Sequence, residues 1–509
     1  MSGKVWLVGA GPGDPGLITA RGLEVLARAE VVLHDALAHS ALLEVCPSAE
    51  HQYVGKRFGE PSSAQDAINL ELIRLARTGK RVVRLKGGDP LLFARGGEEA
   101  LALREAGVEF EIVPAVSSPV GAATYAGIPL THRELSSSVT FITGSDRAGV
   151  AWSPESWRKL ATATDTICVL MGMRRLEAIL EAIVEGGRSP STPVAVIQWG
   201  TRPAQRVVTG TLADVAPRAR AAGLTNPAII VVGEVVRLRE ELRWFDTGPL
   251  FGQRMLVPRP VEQAARTAQA IRDRGAEPVV IPLIEIHPPP EPAALLAAAR
   301  DAGSYDWVLF TSANGVERFF AALREIGLDA RAFRAARIAV IGPRTADALE
   351  RFGVRPDLIA KEYVGEALAR DLLQAGVPRR VLLARALVAR DALPTLLREQ
   401  GTHVDIVPAY ETRPAPAEHV LEAFASGAVD IVLLTSSSTV SALAGALGER
   451  AAEHLKNVCV ASIGPVTSET ARQFGIRVDV AASTHTVAGL LDALEAHFRA
   501  KKLPASPER

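Results

Sequence analysis

The second half of this chain carries the same arrangement twice. Phe310-Thr-Ser-Ala-Asn-Gly-Val316 returns 124 residues later as Leu434-Thr-Ser-Ser-Ser-Thr-Val440, and Ile341-Gly-Pro-x-Thr345 returns after 122 as Ile463-Gly-Pro-x-Thr467. Gly275 and Pro282 recur as Gly401 and Pro408, both after 126 residues. A nearly constant offset means that both copies must accept one supersecondary pattern. Each copy reads as strand–helix–strand, then strand, Thr-Ser loop and helix, then strand, Gly-Pro loop and helix. Two similar parallel α/β lobes are therefore expected.

The first half has no such repeat, but its strands end in loops of one type. Residues 5–8 read as a buried strand running into GAGPGDPG at 9–16. This is a poor dinucleotide fingerprint: Asp14 stands where the third small residue belongs, and Pro12 removes an amide that a phosphate would use. NAD and ATP are excluded on that ground. Thr19 should cap a helix reaching residue 28, and a strand over 30–34 ends in Asp35, which is either a turn aspartate or a catalytic base. Helices are expected over 66–78 and 97–106, and strands over 109–113, 139–143, 166–170, 193–198 and 228–232. The composition shifts near residue 145, so two lobes should leave a cleft between their strand ends.

Within this half the stretch 82–99, VVRLKGGDPLLFARGGEE, is chemically the most informative. Gly87-Gly88 lets main-chain groups approach a ligand where a Cβ would clash, and Asp89 places a carboxylate at a strand's C-terminal end. Between Lys80 and Arg95 there are five cations, Lys80, Arg81, Arg84, Lys86 and Arg95, and one anion, Asp89, which favours an acidic substrate. A strand end followed by a solvated cationic face is the plain alternative.

Composition excludes several classes. Charges balance at 57 of each sign overall and 27 of each within residues 1–250, so no basic region argues for nucleic acid or an anionic membrane. Cys46, Cys168 and Cys459 are too few and too scattered for a disulfide framework or a metal motif. No apolar run nears membrane-spanning length, and with the first strand so early no signal peptide is expected. A soluble, cytoplasmic protein is expected.

The motifs VGAGPGDPGLIT, HDAL at 34–37, VGKR at 54–57, VVRLKGGDPLLFARGGEE, GIPLTHR at 127–133 and Met171-Gly172 occur in the order seen in tetrapyrrole methylases. Residues 3–245 resemble uroporphyrinogen-III C-methyltransferases in particular. The resemblance implies S-adenosylmethionine held between two α/β lobes, and two methylations of pyrrole carbons giving precorrin-2. It places Pro12, Gly87, Gly88, Asp89, Leu92, Ser117, Ser118, Met171 and Gly200 at the cofactor, with Asp35 as proton acceptor and Lys56 as proton donor. The eight carboxylates of the substrate would meet Arg57, Arg84, Lys86, Arg95, His132 and Arg133. Ala94, Ala115, Ser117 and Gln198-Trp199 depart from the usual residues of that pattern.

Residues 254–498 resemble uroporphyrinogen-III synthase through LVPRP at 256–260, DWVLFTSANGVERFF, AVIGPRTADAL, Tyr410-Glu-Thr412 and IGPVTSETA. That family cyclises hydroxymethylbilane with inversion of the last ring and needs no cofactor. Tyr410 matches the residue assigned to hydroxyl departure. Thr311, Ser312, Thr435, Ser436 and Ser437 are either helix caps or carboxylate binders. The scattered His287, His403, His419 and His485 form no metal or catalytic cluster. In the family's pattern residues 254–287 and 415–498 build one lobe and about 300–410 the other.

The implied organisation is a two-lobed methylase over 1–245, a linker over 246–253, a two-lobed synthase over 254–500 and a disordered tail over 501–509. The linker is expected to turn over a surface, with Phe245, Leu250 and Phe251 the residues able to pack instead. The implied function is bifunctional tetrapyrrole synthesis toward sirohaem or cobalamin, in a homodimer joined through the methylase. The alternatives are methylation of a later corrinoid intermediate, and a second half that only binds a ligand.

Overall fold

The computed structural model describes residues 3–55, 65–144, 153–259 and 261–502. The chain forms two compact units. The first comprises Met1–Met255 with Gln269–Pro278 and Leu491–Arg509, and the second Leu256–Ala268 with Val279–Leu490.

The first unit opens with β1 (Lys4–Gly9), β2 (Val31–His34), β3 (Glu50–Tyr53), β4 (Arg81–Lys86) and β5 (Glu109–Val113). They form a parallel sheet of order β3-β2-β4-β1-β5. Both faces are covered, so the central strands are continuous apolar runs instead of alternating ones. β2 continues to β3 toward one edge, while its neighbour β4 continues to β5 toward the other. The strand order therefore reverses between β2 and β4, and a crevice opens beyond their C-terminal ends.

The second sheet contains β6 (Val139–Thr143), β7 (Thr166–Leu170), β8 (Pro193–Gln198), β9 (Arg206–Thr211) and β10 (Ala228–Val232), in the order β6-β7-β10-β8-β9. Only β6 and β7 are parallel; the β7–β10, β10–β8 and β8–β9 pairs are antiparallel. β9 follows β8 closely enough to pair with it as a hairpin, which a simple series of βα units does not include.

Beyond these lie β11 (Arg254–Val257), β12 (Glu277–Val280), β13 (Ile284–His287), β14 (Trp307–Phe310), β15 (Arg337–Val340), β16 (Leu358–Ile359), β17 (Arg380–Ala386), β18 (His403–Pro414), β19 (Ile431–Leu434), β20 (Cys459–Ser462) and β21 (Val480–Ala481). One sheet runs β12-β11-β19-β20-β21 and the other β13-β18-β17-β14-β15-β16. The internal repeat extends further than its motifs. Asp357 accepts from the Ile338 amide at 2.7 Å, and 122 residues on Asp479 accepts from Val460 at 2.9 Å. Tyr363 lies against Gly342 as His485 lies against Gly464, again 122 residues apart.

One assignment needs correction. Residues 284–287 belong to the six-stranded sheet, not with 254–280, because β18 is 12 residues long and its far end pairs antiparallel with β13. At the other end of the chain a helix runs over Val487–Lys502, so residues 501 and 502 of the expected tail are helical. Residues 503–509 lie outside the described residues.

Candidate functional sites

The crevice of the first sheet is built from glycine contacts. Gly88 has φ +70°, and a Cβ there would stand 2.8 Å from Ser118 Oγ; at Gly87 it would stand 2.6 Å from Leu37 Cβ. The Gly88 amide donates to Gly11 O at 2.8 Å, which ties the loop after β4 to the loop after β1. Asp89 extends the tie in the other direction. Its Oδ1 accepts from the Leu91 amide at 2.8 Å and its Oδ2 from the Ala115 amide at 3.1 Å, joining the loops after β4 and β5.

The helix Ser118–Tyr125 then packs between two turns. A Cβ on Gly121 would stand 2.4 Å from Pro12 Cγ, and one on Gly200 would stand 2.4 Å from Ala122 Cβ. Pro12, Gly88, Ser118 and Gly200 are thus gathered at the helix Ser118–Tyr125, with Gly87 and Asp89 flanking Gly88 in the chain. Asp14, whose charge excludes a pyrophosphate, has a structural use: its Oδ2 accepts from Tyr125 Oη at 2.7 Å, and its amide donates to Thr201 Oγ1 at 2.9 Å. Burial and then this carboxylate push the Tyr125 phenol up. Arg202 Nη2 donates to Leu37 O at 2.7 Å, beside Asp35.

Backbone strain gathers at the same strand ends. Six described non-glycine residues have positive φ, and five of them are Phe93, Arg95, Met171, Trp199 and Thr201. They sit in the loops after β4, β7 and β8. Side chains disfavour that region, and such strain persists where surrounding structure enforces it, commonly at binding and active sites. Met171 also leaves 60% of its surface exposed.

The expected cations divide. Arg84 and Lys86 are buried within β4, so their charges are spent inside the protein and not on a solvent-facing carboxylate site. Glu99, which sequence reasoning passed over, is fully buried; its Oε1 accepts from Lys86 Nζ at 2.8 Å and from Arg84 Nε at 3.3 Å. Burial, and then the Arg84 charge, push the Lys86 ammonium below its usual range. Arg84 Nη2 faces Asp35 Oδ2 at 3.4 Å, while Asp35 Oδ1 accepts from the Leu37 amide at 3.0 Å. Arg95 is exposed and paired with Glu98 at 2.6 Å, and Arg133 is exposed. His132 Nδ1 accepts from the Glu134 amide at 3.3 Å within its own turn. Leu92 and Ser117 are half-buried in the loops after β4 and β5. Lys56 and Arg57 lie outside the described residues.

The second unit joins two residues that the sequence singled out separately. Ser312 caps the helix Ala313–Glu325 by accepting from the Gly315 amide at 3.0 Å, and its Oγ lies 3.1 Å from Tyr410 Oη. Arg385 pairs with Pro408 and Ala386 with Tyr410, so Ala409 is a bulge that re-aims Tyr410 toward Ser312. Tyr410 keeps only 7% of its surface exposed. Thr435 Oγ1 accepts from Arg259 Nε at 2.9 Å, and Ser436 caps the helix Ser437–Leu447. Thr311 is half-buried directly before its helix. Arg259 is a functional candidate absent from the sequence reading, although LVPRP contained it. Burial, then Arg344, lowers its guanidinium to about 10.

Sequence comparison matches residues 4–216 to the model for Tetrapyrrole (Corrin/Porphyrin) Methylases and residues 265–492 to that for Uroporphyrinogen-III synthase HemD. A "Porphyrin biosynthesis protein HemD" of Ruminiclostridium josui is 38% identical over 496 residues, 97% of each chain. The chain belongs to this methylase–synthase fusion family. A Bacillus subtilis (strain 168) "Uroporphyrinogen-III C-methyltransferase" is 38% identical over 379 residues, 73% of this chain and 77% of that one. A solved uroporphyrin-III C-methyl transferase from Thermus thermophilus, complexed with S-adenyl homocysteine, is 39% identical. It covers 46% of this fusion protein and 100% of its own chain, with a TM-score of 0.40.

Proposed function

We propose that the fusion protein makes uroporphyrinogen III from hydroxymethylbilane in its synthase half, and methylates it twice with S-adenosylmethionine to precorrin-2 in its methylase half. The observation that carries this reading is collinearity: one relative named for porphyrin biosynthesis matches 97% of the chain at 38% identity, spanning both halves.

The crevice suits S-adenosylmethionine. Pro12, Gly87, Gly88, Ser117, Ser118 and Gly200 leave main-chain groups and hydroxyls near the ligand, with Asp89 and Leu92 beside them, and strained Met171 faces solvent. When bound, S-adenosylmethionine supplies an electrophilic methyl on a sulfonium. Asp35 is then assigned to accept the proton released when the methylated pyrrole carbon restores its conjugation, and Lys56 to donate one. The Leu37 amide and Arg84 hold the two Asp35 oxygens, so the acceptor is oriented before substrate arrives. Exposed Arg95 and Arg133, with Arg57 and His132, are assigned to substrate carboxylates.

In the synthase half Tyr410 is assigned, with Ser312, to help the hydroxyl leave as water. Thr311, Thr435, Ser436 and Arg259 are assigned to substrate carboxylates. A homodimer through the methylase half and a cytoplasmic setting complete the proposal. Among the described residues no helix is long and apolar enough to cross a membrane.

The test is to supply hydroxymethylbilane with and without S-adenosylmethionine, and to identify products by mass and ring isomer. Uroporphyrinogen III without the methyl donor and a dimethylated product with it are expected. Formation of only the non-inverted isomer refutes the synthase reading, and an unmethylated uroporphyrinogen III refutes the methylase reading.

A further inference from the structure

Four charges lie together at the crevice end of β4, and only one of them reaches solvent. Glu99 is 0% exposed although it stands in the first turn of the helix Gly96–Glu105. Acidic residues there usually face water and complement the helix dipole. Its Oε1 instead receives Lys86 Nζ at 2.8 Å, Gln65 Nε2 at 3.2 Å and Arg84 Nε at 3.3 Å, while its Oε2 has no partner among the described residues. Arg84 is held on two further sides. Its Nη1 donates to Leu85 O at 3.0 Å and faces Leu33 O at 3.5 Å, which leaves Nη2 directed at Asp35 Oδ2 at 3.4 Å.

We propose that Glu99 is a positioning residue for methylation: it anchors Arg84 and, through that fork, fixes the orientation and local charge balance of the Asp35 carboxylate. The inference rests on the reading of Asp35 as proton acceptor. A guanidinium is planar, so fixing Nε and Nη1 also fixes where Nη2 points. Two cations and two carboxylates balance, and the anchored pair lies behind Asp35, whose side chain is 24% exposed. Buried ion clusters are often no more stable than apolar packing, so stability alone explains this one poorly. Its place beside the proposed acceptor supplies a reason.

The test uses Glu99→Gln in the full-length chain. Glutamine keeps the size and one acceptor but removes the charge, leaving Arg84 and Lys86 in excess. Methylation kcat is expected to fall about 10- to 100-fold, the scale of a small misplacement of a reacting group. Affinity for S-adenosylmethionine should stay within about twofold, because only a transition-state interaction is lost. Arg84→Lys, which keeps the charge and loses the fork, should show the same split. The charge-balanced double variant Lys86→Met/Glu99→Gln should recover part of the kcat lost in Glu99→Gln, since coupled residues are not additive.

Wild-type kcat in Glu99→Gln, equal falls in kcat and affinity, or simply additive losses in the double variant would overturn the proposal. Asp35→Asn in the same assay separates the two levels. If Asp35→Asn is slow while Glu99→Gln is not, the positioning role alone fails. If Asp35→Asn turns over normally, the proton-acceptor reading fails with it.

Discussion

Asp89→Asn tests how the cofactor crevice is held together. The carboxylate uses one oxygen on the Leu91 amide and the other on the Ala115 amide, so it staples the loop after β4 to the loop carrying Ser117 and Ser118. Asparagine can keep the local turn to Leu91, but its NH₂ would then face the Ala115 N–H and that bond is lost. A hydrogen bond to a charged group contributes roughly 1.5–3 kcal/mol, and the half-buried position of Asp89 argues for the lower end, about 1.5 kcal/mol. For a unit of roughly 250 residues that corresponds to a Tm about 3–6 °C lower. If the freed loop carries Ser117 and Ser118 out of place, the same 1.5 kcal/mol weakens S-adenosylmethionine about tenfold. Calorimetric melting and titration of the full chain read both quantities, which should fall together. A tenfold affinity loss at unchanged Tm would refute the staple and leave Asp89 as a direct ligand contact only.

Gly121→Ala should push Pro12 away, because the added Cβ would lie 2.4 Å from its Cγ. Overpacking of about 1–3 kcal/mol should lower methylase Tm and cofactor affinity while cyclisation is unchanged; normal affinity would refute the packing argument. Ser312→Ala removes a helix cap worth about 0.5–2 kcal/mol as well as the Tyr410 contact, so it should destabilise more than Tyr410→Phe, and both should slow cyclisation. Equal melting of the two variants would show that the cap contributes nothing. His39 accepts from the Ala41 amide through Nδ1, and burial lowers its imidazole to about 4 from the usual 6.5. The folded state therefore favours the neutral ring, so this stability is present above about pH 6.5 and is lost as pH falls toward 4; His39→Gln should flatten that slope in pH-dependent melting.

Where burial was signalled by apolar runs, the sequence was an accurate guide. The strands at 109–113, 139–143, 166–170, 193–198 and 228–232 end where their hydrophobic runs end, and Thr19 caps its helix as expected, accepting from the Gly22 amide. The 122-residue offset even extends to Asp357 and Asp479. Polar strands were missed for the converse reason. β3, Glu-His-Gln-Tyr, is an edge strand with little buried surface to show in its sequence. The antiparallel half of the second lobe was invisible because strand direction depends on partners distant in the chain. At the site, Arg84 and Lys86 looked like a cationic surface because two charges seldom lie in a sheet interior; the only clue was Glu99, 13 residues beyond Lys86, in a helix turn where acids are ordinarily exposed. For Tyr410 the signal existed, since Pro408 inside a strand suggests a bulge.

The segment between the halves illustrates the same limit, and the last prediction concerns it. Gly248, Pro249 and Gly252 read as a surface turn, yet Leu250 is 0% exposed, and Phe245 packs edge-on to Tyr125, Trp244 and Phe251 at 4.7–5.6 Å. Gly252 donates to Gly275 O at 3.0 Å, and Glu277 donates to Gln253 O at 2.8 Å, all within the first compact unit. Fully burying one leucine is worth about 1.5–3 kcal/mol. An aromatic edge contact adds about 0.5–1.5 kcal/mol. Separating 1–247 from 252–509 removes Leu250 and Phe251 from both pieces, and with them the buried leucine and the Phe245–Phe251 edge contact, a loss of about 2–4.5 kcal/mol against the roughly 5–15 kcal/mol of a whole domain. The N-terminal piece alone should therefore melt well below the intact chain, and adding 252–509 should restore its methylation only in part, because that piece returns Gln269–Pro278 of the same compact unit but not Leu250 and Phe251. An isolated 1–247 that matches the intact chain in Tm and methylation rate would show that Leu250 and the aromatic cluster contribute little, and that the turn is the inexpensive cut its glycines suggest.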